Sequence, residues 1–228
     1  MTDRPTPDIN PLHVYVLIDE SGSMSSIRDD AVGGFNQLLA EQRVDTIPGS
    51  RITLVFFDSN DPCRIHWQGV PVHEAIDLGP ADFRPRGGTP LLDATGRIIA
   101  LADADAGARA AAGEPAEGVL VVTITDGHEN ASREFDRDQL TELIRQREAA
   151  GWEFQFLAAD LTAFRDARTM GYSEDKLVHF ERSGVGMRAA MATTNQLTNR
   201  RKDALRRQHD ERLNREFQQR LDEDARRR

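Results

Sequence analysis

The chain has a single cysteine, Cys63, so no disulfide can close within it, which suits a reducing compartment. The first stretch, Met1 to Pro11, is polar and proline-rich and has no apolar core of the kind a signal peptide needs. No later run approaches the roughly 20 apolar residues of a membrane span. Together these absences lead us to expect a soluble, cytoplasmic protein, in which the sequon Asn130-Ala131-Ser132 is incidental. There is no excess of positive charge: the formal net charge is −9, which excludes a nucleic-acid footprint for the chain as a whole. No internal repeat is visible. After Gly186 there is neither glycine nor proline, and this last stretch is the basic part, with eleven basic and seven acidic residues from Arg200 to Arg228.

Apolar residues are present in the right form for a core: 39% of the chain, in compact runs divided by polar stretches. Runs rich in valine, isoleucine and phenylalanine stand at Val14–Ile18, Ile52–Phe57, Val119–Thr125, Phe154–Ala159 and Leu177–Phe180. Strands this apolar are covered on both faces, as in a parallel sheet. A weaker pattern around Arg64–Gln68 fits an antiparallel edge strand. Helical spacing links Ile27, Ala31, Phe35, Leu38, Leu39 and Gln42, then Leu91, Thr95, Ile98, Ile99 and Ala102, then Leu140, Leu143, Ile144 and Arg147. The third of these helices starts at Asp136 or Asp138 and stops at Gly151; a fourth, Leu161–Met170, stops at Gly171. The segment Ala102–Gly113 reads as a helix end running into a loop. This alternation predicts a doubly wound α/β fold, with a mostly parallel central sheet and helices on both faces. The expected organisation is a flexible arm at 1–11, a domain at 12–190 and a charged helical extension at 191–228.

The candidate chemistry sits at strand ends, where open α/β sheets bind ligands. Val14–Ile18 runs into Asp19-Glu20-Ser21-Gly22-Ser23, and a turning loop can aim the oxygens of Asp19, Ser21 and Ser23 at one point. Gly87-Gly88-Thr89-Pro90 opens a helix and offers the Thr89 hydroxyl, with Pro90 at the first-turn position. Val119–Thr125 ends in Asp126-Gly127. If that strand lies beside the first, Asp126 faces Asp19 across the switch point of the sheet. Carboxylates and hydroxyls together make a hard oxygen site for Mg²⁺, or Mn²⁺ or Ca²⁺, rather than Zn²⁺. Taken singly, each piece is a helix cap or a turn former. In order, each at the right end of its element, they form a constellation.

That constellation resembles the metal-ion-dependent adhesion site of von Willebrand factor type A (VWA) domains, whose pattern is Asp-x-Ser-x-Ser, a distant Thr and a later Asp. The matching positions are Asp19, Ser21, Ser23, Thr89 and Asp126. The resemblance covers about Leu12 to Ala190, and Val14–Phe35 and Gly87–Asp93 are especially similar to intracellular bacterial members. It implies that Ser21 and Ser23 ligate the metal directly and that Asp19 and Asp126 act largely through bound water. Thr89 would enter or leave the shell as the site changes state, and an Asp or Glu of a partner protein would fill the last position.

The implied function is that of a metal-dependent protein-binding module, an adaptor in an intracellular complex, and not an enzyme. A metal-dependent hydrolase or phosphotransferase is the alternative, but it needs a second carboxylate two residues after the strand-end aspartate, and Ser21 stands there. No phosphate-cradling Gly-x-x-x-x-Gly-Lys-Ser/Thr run and no Gly-x-Ser-x-Gly turn occurs. A third reading is a structural protein in which the metal only staples loops. Around the site, Glu20 is expected to point away and tune the local field, Asp58 and Asp160 to cap, and His128 to be a solvated loop residue. Cys63, Trp67 and Trp152 read as packing residues. In the tail, Leu205, His209, Leu213, Phe217 and Leu221 recur every four residues. That stripe fits a helix folded on the domain with a charged end, or a docking or self-association helix.

Overall fold

The computed structural model describes residues 9–226, so residues 1–8 of the expected N-terminal arm lie outside the described residues. Its single sheet has six strands: β1 (Leu12–Asp19), β2 (Arg51–Phe57), β3 (Arg64–Pro71), β4 (Gly118–Thr125), β5 (Glu153–Ala158) and β6 (Leu177–His179). Their spatial order is β3-β2-β1-β4-β5-β6. Every neighbouring pair is parallel except β2–β3, which is antiparallel. The chain therefore winds outward from β1 in both directions, and β1 lies beside β4 with Val16 opposite Val122 and Ile18 opposite Ile124. This is the doubly wound α/β architecture expected from the sequence. The edge strand is longer than expected, because Gly69 (φ 59°) lets it continue past a slip in register with β2.

Among the described residues five α-helices cover the sheet: α1 (Arg28–Val44), α2 (Leu91–Ala111), α3 (Arg137–Ala149), α4 (Leu161–Thr169) and α5 (Gly184–Arg226). α3 opens with a reciprocal capping box, in which Asp136 accepts from the Gln139 amide at 2.8 Å and Gln139 from the Asp136 amide at 3.0 Å. Gly151 (φ 88°) follows the end of α3 and Gly171 (φ 96°) that of α4. α2 persists to Ala111, beyond the expected loop entry at Ala102. Its last turns are rich in alanine, the strongest helix former, and they outlast Gly107.

Alternation along β1 divides the interior. Val14, Val16 and Ile18 meet α1 and α5 on one face, while Tyr15 and Leu17 meet α2, α3 and α4 on the other. α5 is continuous through residue 190, where the domain was expected to end. It buries Met187, Ala190, Met191, Thr194, Thr198, Lys202 and Leu205. Gly34 of α1 makes this close approach possible, since a Cβ there would lie 2.9 Å from Met191 Cγ. Arg206 still pairs with Asp45; beyond it the helix leaves the domain, and Leu213, Phe217 and Leu221 are 47%, 59% and 47% exposed. The half of the helix up to Leu205 is folded on the domain, as the first of the two readings of the tail has it.

At the sheet end remote from the strand C-termini, the Arg51 guanidinium donates twice to Glu117, at 2.9 and 2.7 Å, and His13 Nδ1 lies 3.5 Å from the same carboxylate. Burial works to raise the Glu117 carboxyl, but hydrogen bonding to His13 and Arg51 outweighs it and holds the group at about 2. A depressed carboxylate stabilises the fold above its ordinary value of 4.5, and that stability is lost as the pH falls toward 2. Glu117→Gln should therefore cost about 1–2 kcal/mol at pH 7, allowing for solvent screening, and in urea titrations the difference from wild type should shrink below pH 4.5 and vanish only as the pH approaches 2. For the helix, Met191→Ala should cost about 2–4 kcal/mol. Deleting residues 211–228 should change stability by less than about 0.5 kcal/mol, since the side chains at 211–223 are exposed.

Candidate functional site

Asp19 is the last residue of β1 and is fully buried. Its Oδ1 accepts from the Ser21 amide at 2.7 Å, and its Oδ2 from the Thr125 hydroxyl at 2.6 Å, across the β1–β4 boundary. Burial pushes the Asp19 carboxyl up to about 6 against the pull of these hydrogen bonds, and the charge of Asp126 adds a small upward push. Asp126, the first residue after β4, accepts from Ser23 Oγ at 2.6 Å through Oδ1. Ser23 Oγ also lies 3.0 Å from Ser21 Oγ. Because the one Ser23 hydroxyl proton goes to Asp126, Ser21 is the donor in that pair.

Thr89 joins from the loop before α2. It does not cap that helix, as it would if it were an ordinary N-terminal threonine. The α2 amides are capped from elsewhere: Ser132 Oγ accepts from Leu92 and Asp93, and Glu129 Oε2 from Leu92. Pro90 is the N-cap residue, one position earlier than expected. The Thr89 hydroxyl is thereby left for the site. The convergence is measured at Gly127, where a Cβ would lie 3.3 Å from Thr89 Oγ1 and 3.9 Å from both Asp19 Oδ2 and Ser23 Oγ. Thr89, Asp19 and Ser23 thus meet about Gly127, and Ser21 and Asp126 join them through hydrogen bonds to Ser23.

The surrounding loops are tied to one another. Gly22 N donates to the Gly87 carbonyl at 3.1 Å, Arg86 N to the Glu20 carbonyl at 2.7 Å, and Ser59 N to the Gly88 carbonyl at 3.0 Å. Glu20 does more than tune the field, contrary to the sequence reading. It is buried, takes two hydrogen bonds from Arg64 at 2.9 and 2.7 Å, and accepts from the Arg84 amide. Asp58 and Asp160 are the expected capping groups, accepting from Asn60 N and Thr162 N, each at 2.6 Å. His128 is exposed.

Contributors in three places were missed: Glu129 with Asp93, Asn130 with Ser132, and Arg182. Glu129 accepts from the amides of Ala131 and Ser132, and Asp93 from those of Arg133, Glu134 and Phe135, which folds the loop after Asp126 onto the start of α2. Asn130 and Ser132 belong to the same clasp, because Asn130 Oδ1 accepts from the Thr89 amide at 2.8 Å. The third is Arg182, whose Nε lies 2.8 Å from Asp126 Oδ2. No local sequence pattern marks these groups; their partners stand in other segments.

Two features of the site suit a cation. Asp126 Oδ2 is buried and has no hydrogen-bond donor, since the approach of Arg182 is an ion pair without hydrogen-bond alignment. The Gly127 space is ringed by hydroxyl and carboxylate oxygens, the donors that hard divalent ions take. Among the described residues no three His, Cys, Asp or Glu side chains form a metal-holding cluster, so any ion here would rest on two carboxylates and three hydroxyls. That donor set fits.

No protein-family profile and no curated protein matches the sequence. Solved structures do match in fold. The proximal thread matrix protein 1 of the mussel byssus, with a zinc-occupied adhesion-site motif, superposes with a TM-score of 0.61 at 16% identity, over 83% of this chain and 48% of that one. The vWF domain of the pilus tip protein Mfa5 from Porphyromonas gingivalis gives 0.59 at 11%, over 84% and 96%. The VWA domain of SpRpn10 gives 0.54 at 15%, over 79% and 93%. The chain thus has the fold of VWA domains, and it spans about half the length of the byssus protein.

Gly127→Ala tests the geometry directly. The added methyl group would crowd Thr89 Oγ1 and stand among the site oxygens. Isothermal titration with Mn²⁺ should show binding weakened by at least about tenfold, with thermal stability changed by less than about 1 kcal/mol, because the backbone here tolerates alanine. Wild-type affinity in this variant would place any metal elsewhere.

Proposed function

We propose that the chain is a metal-dependent protein-binding module that captures an acidic side chain of a partner protein. The observation that carries this reading is the ring of oxygens about Gly127, drawn from β1, the loop before α2 and the end of β4. In it Ser21, Ser23 and Thr89 would hold a divalent cation, Mg²⁺ or alternatively Mn²⁺ or Ca²⁺, with Asp19 and Asp126 behind them. When bound, the ion supplies a positive charge incompletely neutralised by the protein and a free coordination position, which suit an incoming Asp or Glu.

The protein's own residues set up that arrangement. Asp19 orients the turn through the Ser21 amide and locks β1 to β4 through Thr125. The Ser21–Ser23–Asp126 chain aligns two hydroxyls with the second carboxylate. The clasp of Glu129, Asn130 and Ser132 relieves Thr89 of capping duty. The solved neighbours support this reading, since the byssus protein is described with zinc in its adhesion-site motif. They share the fold and little of the sequence.

Affinity capture from a native lysate in Mg²⁺, followed by elution with EDTA, is the direct test. A partner released by EDTA, and lost with Asp126→Asn, is the expected result. A partner fully retained in EDTA while the metal still raises the melting temperature would mean that the ion only staples the loops. Asp19→Asn is the sparing variant at the strand end. Asp19 is buried in the sheet rather than peripheral to it, so truncation to alanine would also leave Thr125 and the Ser21 amide without their acceptor. Asp19→Asn should abolish the metal-dependent rise in melting temperature.

A further inference from the structure

Arg182 sits in the turn between β6 and α5, at the mouth of the site. Its Nε is 2.8 Å from Asp126 Oδ2, and its Nη2 donates to the Ser23 carbonyl at 3.0 Å. One guanidinium thus spans the two segments that supply the serine hydroxyls and the second carboxylate. The Asp126 side chain is fully buried, while that of Arg182 is 48% exposed. The charge on Asp126 is therefore met by a cation that can leave into water without any movement of the core.

The turn that carries Arg182 is fixed. Phe180 is buried, and its amide donates to the Ala158 carbonyl at 3.0 Å. Ser183 accepts from the Gly186 amide at 3.0 Å at the start of α5. A Cβ at Gly186 would fall 1.8 Å from the Glu181 carbonyl oxygen, so the chain closes on itself there more tightly than any other residue permits. The backbone holds Arg182 beside Asp126, and only its side chain is free to move. A second acidic group feels its charge: the Asp160 carboxyl is held below the usual range chiefly by the Thr162 amide, with smaller contributions from His128 and Arg182.

We infer that Arg182 is a built-in counter-cation that competes with the divalent ion for Asp126 and so sets the metal concentration at which the site fills. The inference rests on the metal-dependent reading proposed above. A metal entering the oxygen ring engages the same carboxylate that Arg182 pairs with, and two cations cannot share it at close range without mutual repulsion. Binding of the ion is therefore coupled to release of the guanidinium, and the apparent affinity is reduced by the strength of the pair it displaces.

Mn²⁺ titration of the full chain by calorimetry tests this, with wild type beside Arg182→Met, Arg182→Lys and Arg188→Met. Arg182→Met keeps the length and removes the charge, and it should bind Mn²⁺ about threefold to tenfold more tightly than wild type. Arg182→Lys keeps the charge but not the planar fork that reaches both Asp126 and the Ser23 carbonyl, and it should fall between wild type and Arg182→Met. Arg188, at the start of α5 and paired with Asp30, is the control for general charge, and its variant should titrate as wild type does. Unchanged or weaker binding in Arg182→Met, with wild type still binding, overturns the inference and leaves the site reading standing. An equal gain in Arg188→Met also overturns it, by showing a diffuse field effect. Absence of Mn²⁺ binding in wild type and in Arg182→Met alike would remove both.

Discussion

Two carboxylates at the ends of adjacent parallel strands, both withdrawn from water, are the constraint around which the upper edge of this protein is organised. Like charges this close in a poorly solvated setting repel strongly, and each needs donors or a cation. Asp19 receives an amide and a hydroxyl, and still its proton affinity is raised to about 6. Asp126 receives one hydroxyl and the side of a guanidinium. The fold supplies enough donors to hold the pair in place and stops short of saturating it. A fully satisfied pair would leave no oxygen to offer; the unsatisfied Asp126 Oδ2 is what suits the pair to the cation proposed above.

Much of that arrangement could be read before any coordinates. β1, β2, β4 and β5 are covered on both faces, so their sequences are nearly unbroken apolar runs. Asp19 and Asp126 stood out because each follows such a run at once. Ser21 and Ser23 were legible through their spacing from Asp19, and Thr89 through the glycine pair before it. β3 was faint because it is a half-exposed edge interrupted at Gly69, and the end of α2 was lost because alanine carries no periodic signal.

The supporting groups were illegible for a different reason. Glu20 reads as a surface residue of a polar loop until Arg64 is brought to it from an edge strand. Ser132 reads as part of a sequon until the first amides of α2 are seen to end on it. Arg182 is one arginine among many, and only the return of the chain from β6 puts it over Asp126. In each case the partner lies in a remote segment, and the sequence carries no periodicity that would announce the meeting. The motif was local and its scaffold was not.

The ties among residues 20–23, 58–61 and 84–89 bear on how tightly the oxygen ring can hold what enters it. Three loops that cross-link through backbone amides and through Glu20 have already given up most of their conformational freedom when the chain folds. Little ordering would remain to oppose capture of the proposed ion, so the free energy of contact would be expressed as affinity and not absorbed in arranging the loops. Rigidity of this kind also limits how far the Thr89 hydroxyl can travel, which makes the side chains at the rim, rather than the loops beneath them, the parts free to respond.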